Sequence, residues 1–262
     1  MSFLRKIFQK VRKGYNFNIK PVPKLEIERF VSLKKEFLGK TLHIHDIASF
    51  YLGKQELFDQ DIYRFTSKRK DPYILDCGAN LGMSVIYFKN LYPSAKITAF
   101  EADEYIFGFL KKNMLSFEYE NVKIINKAVW DREETLSFFE EGGAGGRIEE
   151  PQGLKKYKEV KGTSLRPFLE NTKVDFLKID IEGAEFRVIK DCEDLLGNVE
   201  YLFIEYHSFP NVEQKLHEIL DIVQRAGFKY HIKEAYTRKK PFLQRTLNVG
   251  MDLQLNIFCF KN

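Results

Sequence analysis

Tyr73-Ile-Leu-Asp-Cys-Gly-Ala-Asn-Leu-Gly82 is the stretch on which the fold turns. Five residues of strand character, apolar until a closing acid, run without a linker into a glycine-punctuated turn. Met83–Leu91 then repeats apolar residues at helical spacing. Strand, tight loop and helix make the opening unit of an open α/β sheet, where ligands gather outside the carboxyl ends of the strands. Gly78 and Gly82 permit close approaches that a β-carbon blocks. Asn80 tolerates left-handed geometry better than most residues and can stand where a third glycine would.

Outward from that unit, apolar strands alternate with amphipathic helices. The pattern predicts strands at Tyr73–Cys77, Lys96–Phe100, Val122–Asn126, Asp175–Ile179, Val199–Glu205, Phe228–Lys233 and Leu253–Phe260. It predicts helices at Met83–Leu91, Tyr105–Phe117, Ala184–Leu195 and Val212–Ala226. Such alternation implies parallel strands joined by helical crossovers. The expected fold class is α/β and Rossmann-like, a mostly parallel seven-stranded sheet with helices on both faces. The last two strands have little helix between them, so an antiparallel C-terminal strand closes one edge. Residues 71–262 form this domain, and residues 1–70 an N-terminal accessory segment read as helix and loop. The glycine-rich stretch Gly142–Gly146 reads as a hairpin tip or as a loop closing over substrate.

The loop chemistry separates two cofactors. A dinucleotide site needs Gly-x-Gly-x-x-Gly so that pyrophosphate can rest on a helix N-terminus. Here the spacing is Gly-x-x-x-Gly, and Asp76 precedes the first glycine. A carboxylate repels pyrophosphate but can hold, directly or through water, the ammonium of a methionine moiety. S-adenosylmethionine is therefore favoured over NAD. Glu101 ends the next strand, 23 residues beyond Gly78, where an acid accepts hydrogen bonds from ribose hydroxyls. Asp76, Gly78, Asn80, Gly82 and Glu101 are the expected cofactor residues.

Lys178-Ile-Asp-Ile-Glu-Gly-Ala-Glu185 is a second strand ending in acids before a helix. Acids at a helix N-terminus stabilise its dipole, which accounts for Glu185. It leaves Lys178, Asp180 and Glu182 unexplained, and buried charges need partners. Glu205-Tyr-His207 closes the following strand, and histidine accepts protons near neutral pH. Asp180, Glu182 and His207 are thus the candidate bases. Asp180, Glu182, Glu205 and His207 could instead gather a divalent metal; the spacing does not decide, and metal-free chemistry is preferred.

These motifs resemble the FkbM family of methyltransferases over roughly residues 71–233. The resemblance rests on Asp76-Cys-Gly-Ala-Asn-Leu-Gly82, Phe100-Glu101, Asn126-Lys-Ala-Val129 and, above all, Lys178-Ile-Asp-Ile-Glu-Gly-Ala-Glu185. It implies a class I methyltransferase fold and transfer of a methyl group to a hydroxyl oxygen, commonly on a sugar or polyketide-type product. It also implies cofactor contacts from Asp76 to Gly82 and Glu101, with Asp180 and Glu182 at the reaction site. Cys77 stands where the family more often has valine.

Composition narrows the alternatives. Hydrophobic residues make up 44% of the 262 and aromatics 15%, ordinary for a globular core, and the aromatic excess reads as packing before base stacking. Cys77, Cys192 and Cys259 are far apart with no CxxC pair, which suits a reducing, cytoplasmic setting rather than disulfides or thiolate zinc. No apolar run approaches the roughly 18–20 residues that span a bilayer, and no secretory signal is visible. Residues 1–20 carry six basic side chains and no acid, leaving the rest nearly neutral. That segment has Phe3, Leu4, Ile7, Phe8 and Val11 at helical spacing, suited to peripheral contact with an anionic membrane or to packing on the protein body. The near-neutral remainder argues against a nucleic-acid methyltransferase, whose Asn-Pro-Pro-Tyr type motif is replaced by Asp180-Ile-Glu-Gly183. A non-catalytic cofactor-binding module fits poorly with the intact acids. An NAD-dependent epimerase lacks both the glycine pattern and a Tyr-x-x-x-Lys pair. The expected partner is a small-molecule or saccharide acceptor.

Overall fold

The structure is a computed structural model that describes residues 31–139, 147–148, 157–210, 212–236, 240–245 and 250–261. The basic segment 1–20 and the glycine stretch Gly142–Gly146 lie outside the described residues. Where helix and loop are expected before residue 70, the chain instead forms a β-hairpin, β1 (Leu33–Phe37) and β2 (Lys40–Ile44). Leu38 and Gly39 turn it with positive φ. Docking explains the difference. The hairpin is held by Asn113, whose amide accepts from His43 N at 2.7 Å and donates to the carbonyls of His43 and Leu81. Leu42 and Ile44 are fully buried, so tertiary contacts override a weak local pattern. Helix α1 (Ile47–Lys54) follows, capped by the Asp46 side chain accepting from Ser49 N, and runs on into a π-turn at Gln55–Asp59.

The α/β body then follows the predicted order. It comprises β3 (Tyr73–Cys77), α2 (Met83–Leu91), β4 (Lys96–Phe100), α3 (Glu104–Phe117) and β5 (Val122–Ile125). A smaller four-stranded sheet is inserted next: β6 (Ala128–Trp130), β7 (Thr135–Phe139), β8 (Arg147–Ile148) and β9 (Tyr157–Ser164), in the order β6-β9-β7-β8. The chain re-enters the main sheet through α4 (Arg166–Leu169), β10 (Val174–Ile179), α5 (Glu185–Asp191), β11 (Val199–Ser208), α6 (Leu216–Arg225), β12 (Lys229–Glu234) and β13 (Leu253–Phe260).

The seven-stranded sheet has the order β12-β13-β11-β10-β3-β4-β5. Six strands run in one direction, and β13 runs antiparallel to them between β11 and β12. This is the Rossmann-like α/β sheet expected from the sequence. The late hairpin closes the edge as expected, with the last strand lying inside the one before it. One face packs aromatics from several elements, among them Phe88, Phe176 and Phe203 around Tyr63, whose ring lies 4.7 Å from that of Phe203. These aromatics are core. The other face takes α5 and α6, the latter burying Ile219, Ile222 and Val223 at helical spacing. All three cysteines are free and buried. Among the described residues no helix is long and apolar enough to cross a membrane.

Candidate functional site

The turn after β3 is pinned from both sides. Gly78 N and Ala79 N donate to the Phe100 carbonyl at the end of β4, at 3.0 and 2.8 Å, and Asp180 N donates to the Cys77 carbonyl. At Gly78 a β-carbon would lie 1.8 Å from the Asp180 carbonyl oxygen, so only glycine lets the two loops meet. Asn80 adopts the left-handed φ of 49° expected of it. Gly82 acts differently: a β-carbon there would press on Leu110 and Met114 of α3, so it serves helix packing and stays outside the cavity wall.

A single cavity opens at the carboxyl ends of β3, β4, β10 and β11. It is lined by Gly78, Asn80 and Glu101 and by Asp180, Glu182 and His207. Six of the eight residues expected from sequence thus face one space. Lys127, Ala128 and Val129 form a further wall with Phe138 of the inserted sheet. Asn126 buttresses it by donating to the carbonyls of Glu101 and Ala102.

Asp76 is placed otherwise than expected. It is fully buried, accepts a short hydrogen bond from Ser84 Oγ, and lies 3.3 Å from the Lys178 ammonium. Direct or water-mediated contact with a methionine ammonium requires exposure that this carboxylate lacks. Its place is behind the wall, where the register β3–β10 sets Asp76 beside Lys178. The same ammonium reaches Asp180 at 3.1 Å and donates to the Gly78 carbonyl at 2.8 Å. Burial by itself would lower the Lys178 pKa; Asp180 and Asp76 outweigh it and raise it. Lys178 is therefore a fixed cation joining the two loops.

Glu101 is 8% exposed. Its carboxylate accepts from Asn80 N and Asp103 N, both at 2.8 Å, which orients it while leaving lone pairs toward the cavity. Burial pushes its pKa up to about 7 against those two donors.

The wall around Asp180 is crowded with acid. Burial raises the Glu205 pKa to about 8, with Asp180 adding to the effect and His207 opposing it. Glu56 is raised by burial and then by Asp180. The His207 ring is buried, which alone would lower its pKa; Glu182 and Glu185 reverse this and raise it well above the ordinary value. Its Nδ1 stands 2.9 Å from Glu185 Oε1. Gln254 donates to Glu205 and sits 3.3 Å from His207 Nε2. Glu182 takes a left-handed φ of 55° before Gly183, a strained geometry that persists where surrounding structure imposes it.

Several of these residues escape sequence reading. Glu56 and Tyr63 come from the segment before the first motif, and Gln254 from the last strand; nothing local marks them. Glu185 carries a visible signal, the acid at a helix start, that points to the wrong role. It is 1% exposed and accepts from Ile181 N, Gly183 N and His207.

Comparison with known proteins agrees with this geometry. The methyltransferase FkbM domain matches residues 76–230. Methyltransferase sdnD of Sordaria araneosa is 26% identical over 179 residues, covering 53% of this chain and 68% of the relative. The 2-O-methyltransferase NoeI of Sinorhizobium fredii is 26% identical over 180 residues, covering 60% and 72%. The crystal structure of methyltransferase FkbM from Methylobacillus flagellatus superposes with a TM-score of 0.52 at 15% identity, over 78% of this chain and 47% of the other. This chain thus spans about half the length of that solved protein. With the family domain covering more than half of its residues and the cofactor-type loop and acidic strand ends within that span, the chain belongs to the FkbM methyltransferase family.

Proposed function

We propose that this methyltransferase moves the methyl group of S-adenosylmethionine to a hydroxyl oxygen of a sugar, glycolipid or polysaccharide precursor, or a similar natural product. One observation carries the reading: the Gly78–Asn80 turn with Glu101 and the acidic ends of β10 and β11 line the same cavity. Glu101 accepts the ribose hydroxyls, and the turn receives the amino-acid end. The sulfonium methyl is already activated, so the protein needs to align the hydroxyl and take its proton. Asp180 is paired with Lys178, and the pKa of His207 is raised toward imidazolium. Glu182, whose Oε2 stands 3.7 Å from His207 Nε2 against 3.1 Å between Asp180 and Lys178, is the preferred proton acceptor, and Asp180 and His207 orient the acceptor.

The Asp180 and Glu182 carboxylates, with the acids Glu56 and Glu205 beside them, oppose a phosphate backbone and favour a neutral polyol. NoeI, by name a 2-O-methyltransferase, supports oxygen as the target. A cytoplasmic setting is part of this proposal, with residues 1–20 touching an anionic membrane.

Calorimetry with S-adenosylmethionine and with NAD, followed by an acceptor screen with labelled methyl donor, tests the reading. Binding of the former and label transfer to a glycoside hydroxyl are expected; binding of NAD alone would overturn it.

A further inference from the structure

Sheet register brings three side chains to one point. Asp180 directly follows β10, and Glu205 and His207 stand two apart in β11, on the face shared by Lys178 and Phe203. One ligand atom from each of Asp180, Glu205 and His207 lies within 4.8 Å of the other two. A single ion held at about 2.0–2.4 Å from each donor spans such a spread.

The histidine adds an independent observation. Glu185 Oε1 already accepts from Gly183 N at 2.9 Å and Ile181 N at 3.3 Å. An oxygen taking two backbone donors faces His207 Nδ1 as an acceptor, so Nδ1 carries its hydrogen. Nε2 is then the nitrogen left beside Gln254 and Glu182, and a bound cation takes the place of the proton that the surrounding acids otherwise draw onto it. Donation of one ring N–H to a buried carboxylate, leaving the other nitrogen for the ion, is the usual arrangement of a metal-ligating histidine. Charge agrees as well: the Lys178 ammonium is shared between Asp76 and Asp180, and no ion pair among the described residues joins it to Glu205.

We propose that Asp180, Glu205 and His207 hold one divalent cation, with Glu185 fixing the histidine ring. Two carboxylate oxygens and one imidazole nitrogen suit a first-row transition ion such as Mn²⁺ better than Ca²⁺, whose ligands are oxygens. Spacing in the sequence does not decide between metal-free and metal-assisted chemistry; the register of β10 and β11 favours the latter. This inference rests on the methyl-transfer reading. The acceptor hydroxyl binds the cation, which lowers its pKa, and gives its proton to the Glu182 carboxylate. The oxygen forms the new C–O bond as the C–S bond breaks, its electron pair returning to sulfur to leave S-adenosylhomocysteine.

The test titrates Mn²⁺ into the chelator-treated full chain by electron paramagnetic resonance, with S-adenosylmethionine calorimetry on the same samples. Expected is one Mn²⁺ per chain. Affinity should fall at least about tenfold in Glu205→Gln and His207→Ala, and about 10–100-fold in Glu185→Gln through the outer shell. Cofactor binding, unchanged in each variant, shows that it folds. A chain that binds S-adenosylmethionine but no Mn²⁺, or Mn²⁺ binding that survives both ligand substitutions, overturns the cation site and leaves the methyltransferase reading standing. Site-specific Mn²⁺ binding without cofactor binding upholds the cation site and strikes the function instead.

Discussion

Asp76 and Lys178 face each other across neighbouring strands, 3.3 Å apart and 0% and 3% exposed. Breaking a buried pair by removing one partner leaves an uncompensated charge and costs about 3–5 kcal/mol. Lys178→Met should therefore lower the free energy of unfolding by about that amount, read from the urea midpoint at unchanged slope. A loss below about 1 kcal/mol, the scale of a surface pair, would mean that Asp76 is compensated elsewhere.

Glu101 gives cofactor binding a pH dependence of definite sign. Burial places its pKa at about 7, and the carboxylate is the form that accepts from ribose hydroxyls. It is ionised above that value and protonated below it. Affinity for S-adenosylmethionine should be about tenfold weaker at pH 6 than at pH 8 by simple linkage. Glu101→Gln should bind weakly with no such slope. Equal affinity at both pH values in calorimetry would remove Glu101 from the cofactor site.

Gly78 should not tolerate a side chain. Its φ is 84° and a β-carbon would meet the Asp180 carbonyl oxygen at 1.8 Å, which is backbone and cannot rotate away. Gly78→Ala should cost about 3 kcal/mol or more through overpacking and strain and abolish cofactor binding. Gly53, in the same cavity wall, has open space around it; its replacement by alanine is the control that should stay folded.

Glu182→Gln should leave cofactor affinity in place and lower turnover by about 10²–10⁴, the usual weight of a positioned general base. Single-turnover transfer of labelled methyl, followed against pH, separates this from lost binding. A variant with normal turnover would pass the proton to another group.

Deleting residues 1–14, which hold five of the six basic side chains of the N-terminal segment, should release the protein from anionic vesicles while sparing cofactor binding. Unchanged partitioning in a flotation assay would end the membrane reading of that segment.

What the sequence determined by itself is what can be written within about ten residues. The run Tyr73–Gly82 contains its own strand, turn and helix start, so the fold and the type of cofactor loop follow from periodicity and from the conformations open to glycine and asparagine. The left-handed Asn80 and the antiparallel run of β13 belong to the same legible class. Only tertiary structure decided which acids face the cavity and which lie behind it. Asp76 and Glu101 look equivalent along the chain, each an acid at a strand end. One is sealed by Lys178, a hundred residues away, and the other is left facing the open side. Glu185 reads as a helix-end charge until His207 arrives from the next strand. Glu56 and Tyr63 enter the wall from a hairpin-led segment docked through Asn113. Burial and pairing are properties of sheet register and of long-range contact, and neither is encoded in the local pattern of any one strand.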